Sequence, residues 1–258
     1  MNTVAVGFVA SLLAGLGTGV GALPILFTGE ITNRLQGIFL GFGGGVMLAA
    51  TAFSLIVPGT EAAERLGYSQ ALAALIVSLG VLLGAAAVWY ANSHFPHEHF
   101  FKGKEGPQLH QNFRRIWLFI IAITLHNFPE GLAVGVGFGA NNFANGLTLA
   151  TGIGLQNMPE GLVVALGLRE LNYSTASALG VALLTGLVEP VGGLLGAGIV
   201  SIAQPILPWG MAFAAGAMLF VIVGEIIPEI DQKSLDQEGT IGTISGFLLM
   251  MFLDIALG

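Results

Sequence analysis

Residues 126–138 read HNFPEGLAVGVGF and residues 156–168 read QNMPEGLVVALGL, and seven of the thirteen aligned positions are identical. Each copy carries one glutamate, no Lys or Arg, and a largely apolar flank. The copies sit in apolar runs near 116–139 and 145–168, and similar runs recur near 3–27, 36–58, 70–91, 175–203, 208–228 and 239–257. A helix that crosses the hydrocarbon core of a bilayer needs about 20 such residues. Of the 258 residues, 54% are hydrophobic and 9% charged, far below the charged quarter of a soluble domain. The expected fold is all-α: a polytopic membrane bundle of eight transmembrane helices, forming a single transmembrane domain over 1–258 with no room for a soluble one. The first run lacks the basic flank of a secretory signal and exceeds the usual apolar core of about 7–15 residues, so it reads as a retained helix.

The basic residues orient this bundle, because Lys and Arg collect in cytoplasmic loops. Arg34, Lys102, Lys104, Arg114, Arg115, Arg169 and Lys233 fall in the odd-numbered loops and only Arg65 falls opposite, which places both termini outside the cytoplasm. The third loop, about 92–115, is then cytoplasmic. It holds His94, His97, His99 and His110, and its HFPHEH run has imidazoles close enough in a pliable chain to touch one metal ion. The chain has no cysteine, which excludes disulfides and thiolate ligands.

An Asp or Glu inside a membrane costs about 2.5 kcal/mol or more and ordinarily marks an ion path or a proton relay. Glu130, Glu160 and Glu189 fall deep in the expected spans, Glu225 near the inner end of the seventh and Asp254 near the end of the eighth. No span holds a Lys or Arg to neutralise the three deep acids, so a cation from solution is the missing partner. His126 and Glu130 are four apart, as are Gln156 and Glu160, so each pair projects from one helical face. Two such faces opposed present an imidazole, an amide oxygen and two carboxylates, ligands that suit a borderline divalent metal. Pro129 and Pro159 lack an N–H, so the helices should kink and release the carbonyls of Leu125 and Leu155. Asn127 and Asn157 lie about 100° round from these ligands. There Glu189, followed by Pro190, can complete a second, oxygen-rich site. Met47 and Ser54, seven apart on the second helix, can offer a thioether and a hydroxyl.

HNFPEG and QNMPEG, with GFGGGVMLAATAFSLIVP before them and LVEPVGG and GEIIPE after, resemble the ZIP family of metal transporters (Zrt- and Irt-like proteins) in its bacterial GufA-like branch. The resemblance implies eight helices with extracytoplasmic ends, a two-metal centre between the fourth and fifth helices, and import of zinc and related ions (Cd2+, Fe2+, Mn2+) toward the cytoplasm by a homodimer in the cell membrane. By motif position the primary site would be Met47, His126, Glu130, Gln156 and Glu160, and the second Asn127, Asn157 and Glu189, with Glu130 or Glu160 bridging. Glu225 would belong to the exit route, aided by the loop histidines and by Glu229 or Asp231. Many members have histidine at the position of Gln156, and some have aspartate at that of Asn157. Neither a resident cofactor nor a nucleic-acid partner is expected. The competing reading is an intramembrane metallohydrolase, in which His and Glu on membrane helices activate water. It lacks the HExxH spacing of metalloproteases.

Overall fold

In hydrocarbon each backbone N–H and C=O has to find its partner inside the segment, so apolar runs of this length fold as helices. The computed structural model describes residues 2–27, 32–94, 127–138, 143–170, 173–202, 204–232 and 235–257, and none of these is in a strand. Helix α1 (Thr3–Ala22) starts at Asn2, whose side chain accepts a hydrogen bond from the Val4 N–H at 3.0 Å, and ends in the 3-10 turn Leu23–Leu26. Helix α2 (Asn33–Ala49) passes through a π-helical turn, Ala50–Ile56, into α3 (Val57–Arg65). Then come α4 (Gln70–His94), α5 (127–138), α6 (Phe143–Glu170), α7 (Thr175–Gly186) and α8 (Glu189–Ile202). Helix α9 (Leu207–Val221) runs through a second π turn, Ile222–Ile226, into α10 (Ile227–Gln232), and α11 (Asp236–Leu257) closes the chain.

Among the described residues six stretches are long and apolar enough to cross a bilayer: Thr3–Leu26, Arg34–Arg65, Gln70–Tyr90, Thr175–Ile202, Leu207–Gly224 and Asp236–Ala256. Helix α6 is long enough as well but carries Asn145, Thr148, Gln156, Asn157 and Glu160 along its length. The outer surface is apolar: Leu75, Leu79 and Leu82 form an exposed stripe on α4, a face suited to lipid.

Prolines reshape the spans in ways hydropathy does not reveal. The run at 175–203 is two helices, not one, divided at Leu187–Val188. Pro190 has no N–H to give the carbonyl of Gly186 four residues back, and the helix restarts at Glu189. Pro58 likewise leaves the Ser54 carbonyl without a helical partner, and the wide turn Ala50–Ile56 precedes it; the buried Asn145 side chain donates to that carbonyl at 3.2 Å. The turn Ile222–Ile226 stands in the same relation to Pro228. Pro159, by contrast, lies inside an uninterrupted α6. The expected second span also extends to Arg65, past its predicted end at 58.

The helices pack as two groups. Helix α1 lies against α6, α7 and α8, and α5 lies against α8, where Gly131 meets the Glu189 backbone and Gly192 meets the turn Phe128–Leu132. In the other group α2 packs along α11, and α4 along α9. Contacts of α6 with α2 and α11 join the groups. Small residues permit the close crossings: a Cβ on Gly161 of α6 would fall on the Thr18 carbonyl of α1.

Candidate metal centre

The deep acids converge on the first group of helices. Glu130 lies in the first turns of described α5, Gln156, Asn157 and Glu160 lie on consecutive turns of α6, and Glu189 opens α8, where unpaired N–H groups of a helix start favour a carboxylate. Asn127, Glu130, Gln156, Asn157 and Glu189 are wholly buried, while Glu160 stays partly exposed. Glu160 is within Coulombic reach of both Glu130 and Glu189. Gln156 stands between two carboxylates: its Nε2 donates to Glu130 Oε1 and, at 3.0 Å, to Glu160 Oε1.

On the adjacent wedge Asn157 Nδ2 donates to Glu189 Oε1 at 2.7 Å and to the Ala14 carbonyl of α1 at 2.8 Å. Several buried polar atoms have no hydrogen-bond partner among the described residues: Glu130 Oε2, Gln156 Oε1, Glu189 Oε2, Asn157 Oδ1, both ends of the Asn127 amide, and Thr18 Oγ1. Buried polar atoms ordinarily have a hydrogen-bond partner, from protein, ordered water or an ion. Among the described residues no three His, Asp or Glu side chains close on one point. The cluster is built instead of carboxylates separated by amides.

The second group of helices supplies the opposite wall. A Cβ on Gly43 of α2 would stand 3.4 Å from Gln156 Cγ and 3.6 Å from Glu160 Oε1, so the absence of a side chain there leaves the cluster its space. Met47, one turn further on, is fully buried. Ser54 is not beside it: the π turn changes the helical register, and the Ser54 hydroxyl donates to Asp254 Oδ1 of α11 at 2.7 Å, toward the other end of α6. His126, with the loop histidines His97, His99 and His110, lies outside the described residues, and His94 ends α4. Glu225 lies in the turn Ile222–Ile226 and not in regular α-helix.

Sequence reasoning missed Thr18 and Ala14. Thr18 Oγ1 would be 2.8 Å from a Cβ on Gly186, near the break before Glu189. Its signal was slight, one hydroxyl in the small-residue run GLGTGVGA (15–22). A backbone carbonyl such as that of Ala14 leaves no trace in residue type at all.

A multi-pass helical bundle with a buried carboxylate and amide cluster between two helix groups is the form of a membrane protein that handles cations. The family profile described as ZIP zinc transporter matches residues 90–254, and the chain belongs to the ZIP family. It is 48% identical over 252 residues to the zinc transporter GufA of Myxococcus xanthus, covering 98% of this chain and 99% of that one. Identity is 44% to the zinc transporter ZIPB of Bordetella bronchiseptica, over 100% of this chain and 84% of that one. It is 36% to the human zinc transporter ZIP11, over 93% and 94%.

Proposed function

We propose that the protein carries divalent transition-metal ions, zinc foremost and cadmium, iron or manganese in addition, across the cell membrane into the cytoplasm. The observation that supports this most directly is the pair Glu130 and Glu160 facing one amide, Gln156, in the interior of the helix bundle. A divalent ion balances the two charges, and Gln156 can turn its free Oε1 to the ion. In this reading Met47, His126, Glu130, Gln156 and Glu160 take up the ion, Asn127, Asn157 and Glu189 line the adjoining wedge, and Glu225 assists release. The relatives named above are called zinc transporters, and nothing in those names supports the hydrolase alternative.

The mechanism that fits is alternating access by a homodimer, with the first helix group moving past the second. The carboxylates and amides all ride on α5, α6 and α8, while α2 presents Gly43 and Met47 as the wall they move against. Toward the α6 start Val46, Leu149, Ile153 and Met250 are all buried, whereas Glu160, further along α6, keeps an exposed face. With both termini outside, the Glu160 side of the cluster faces the cytoplasm, the direction of release. The test is uptake by the purified chain in liposomes with a panel of divalent ions. Saturable zinc uptake is expected, and a chain that moves none of the ions overturns the proposal.

A further inference from the structure

The wedge beside the Glu130–Glu160 pair has one acid, Glu189, and an amide locked against it. We infer that the Asn157 side chain acts as a fixed clasp in the place where a second cation would sit, so that the centre loads a single divalent ion. This deepens the reading of the cluster as a metal centre and rests on it.

The donor assignment follows from the partners. Both atoms contacted by Asn157 Nδ2, the Ala14 carbonyl and Glu189 Oε1, are acceptors, so only the NH2 end of the amide can face them. Its two hydrogens therefore point at the Glu189 carboxylate and at α1. A cation bound between Asn157 and Glu189 would face those hydrogens. Turning the amide over would set Oδ1 against the Ala14 carbonyl, two acceptors with no proton between them. Gln156 is bound differently. Both of its contacts are carboxylates, whose charge an incoming ion takes over, so its oxygen can turn to the ion without meeting a backbone carbonyl. The clasp also ties α1, α6 and α8 together at the level of the break before Glu189.

Charge points the same way. Glu130, Glu160 and Glu189 together bring three negative charges into a low-dielectric interior. One divalent ion leaves a single negative charge, which the N–H groups of Asn157 partly offset; two would leave a single positive charge over these three carboxylates. An aspartate at 157 would supply that fourth charge and remove the blocking hydrogens together. Of the buried polar atoms without partners, Thr18 Oγ1 and Asn127 Nδ2 can donate, while Glu189 Oε2, Asn157 Oδ1 and Asn127 Oδ1 can only accept.

The experiment counts zinc bound to the full chain in detergent by equilibrium dialysis and elemental analysis. Subtracting the count for the Glu130→Ala/Glu160→Ala chain removes zinc held by the loop histidines. About one ion per chain is expected by difference for the unaltered chain, and about two for Asn157→Asp. X-ray absorption should show a zinc–zinc distance of about 3.5–4 Å only in Asn157→Asp. Glu189→Gln, whose amide oxygen still accepts from Asn157, should keep the count at one, a check that holds even if Asn157→Asp does not fold. Two ions in the unaltered chain, a lower count in Glu189→Gln, or no gain in a folded Asn157→Asp overturns the inference. A difference of zero in the unaltered chain brings down the metal-centre reading itself.

Discussion

Gln156 stands between two carboxylates in the interior. Its NH2 group donates to both Glu130 and Glu160. With one carboxylate removed, a divalent ion in the interior meets a single anion. Breaking a buried charge set in this way costs about 3–5 kcal/mol, more than a hundredfold in an equilibrium. Zinc uptake by Glu130→Ala and by Glu160→Ala, at matched membrane abundance, should fall to background. Glu189→Ala should lose uptake only in part or change the preferred ion, since its carboxylate is already engaged by Asn157. Equal loss in all three variants would show that this ranking is wrong. Protons compete for the same oxygens and for the imidazole of His126, and the bound ion needs all of them deprotonated. Uptake at fixed free zinc should therefore decline as external pH drops below about 6, near the reference value for histidine. A rate that climbs on acidification would mean that protons drive the transport.

Among the helices, α1 decides how the site-bearing elements fit. It crosses α6 so closely that a methyl group on Gly161 would overlap the Thr18 carbonyl, an atom of rigid helix that cannot swing away. Gly161→Ala should lower the melting temperature in detergent, by overpacking worth about 1–3 kcal/mol. Gly180→Ala on α7 meets open space and should be neutral or slightly stabilising. The opposite order would mean that the crossing yields more readily than its geometry indicates. The paired HNFPEG and QNMPEG segments located two of the three deep carboxylates. Other features were not legible. Leu187 and Val188 are as apolar as their neighbours, so hydropathy could not show the break that places Glu189 at a helix start. The turns at 50–56 and 222–226 are equally silent, because a π turn changes hydrogen-bond register without changing composition. Pro190 gives a break, Pro58 and Pro228 follow widened turns, and Pro159 sits within continuous helix. Proline marks where the backbone loses a donor, but packing decides how the loss is absorbed.

At the scale of the molecule, the division into two helix groups makes the transport proposal mechanical and testable. All the described carboxylates and amides of the centre belong to the group of α1, α5, α6, α7 and α8. If that group moves against the other, a covalent tie between them must stop the cycle, while a tie inside one group must not. The chain has no cysteine, so introduced pairs are the only thiols present. Across the boundary, a Cβ on Gly210 of α9 would stand 3.5 Å from Val136 Cγ2 of α5. Within the second group, a Cβ on Gly59 of α3 would stand 3.3 Å from Met211 Cβ of α9. A disulfide wants Cβ atoms about 3.5–4.5 Å apart; the Gly59–Met211 Cβ spacing lies just under that range, and the Gly210 Cβ lies against both methyl carbons of Val136. Oxidised Val136→Cys/Gly210→Cys protein in liposomes should lose saturable zinc uptake and regain it with reductant. The oxidised Gly59→Cys/Met211→Cys protein should transport at close to its reduced rate. If the tie across the boundary leaves uptake intact, the ion passes without relative movement of the groups, and the same cluster serves a path through a static bundle.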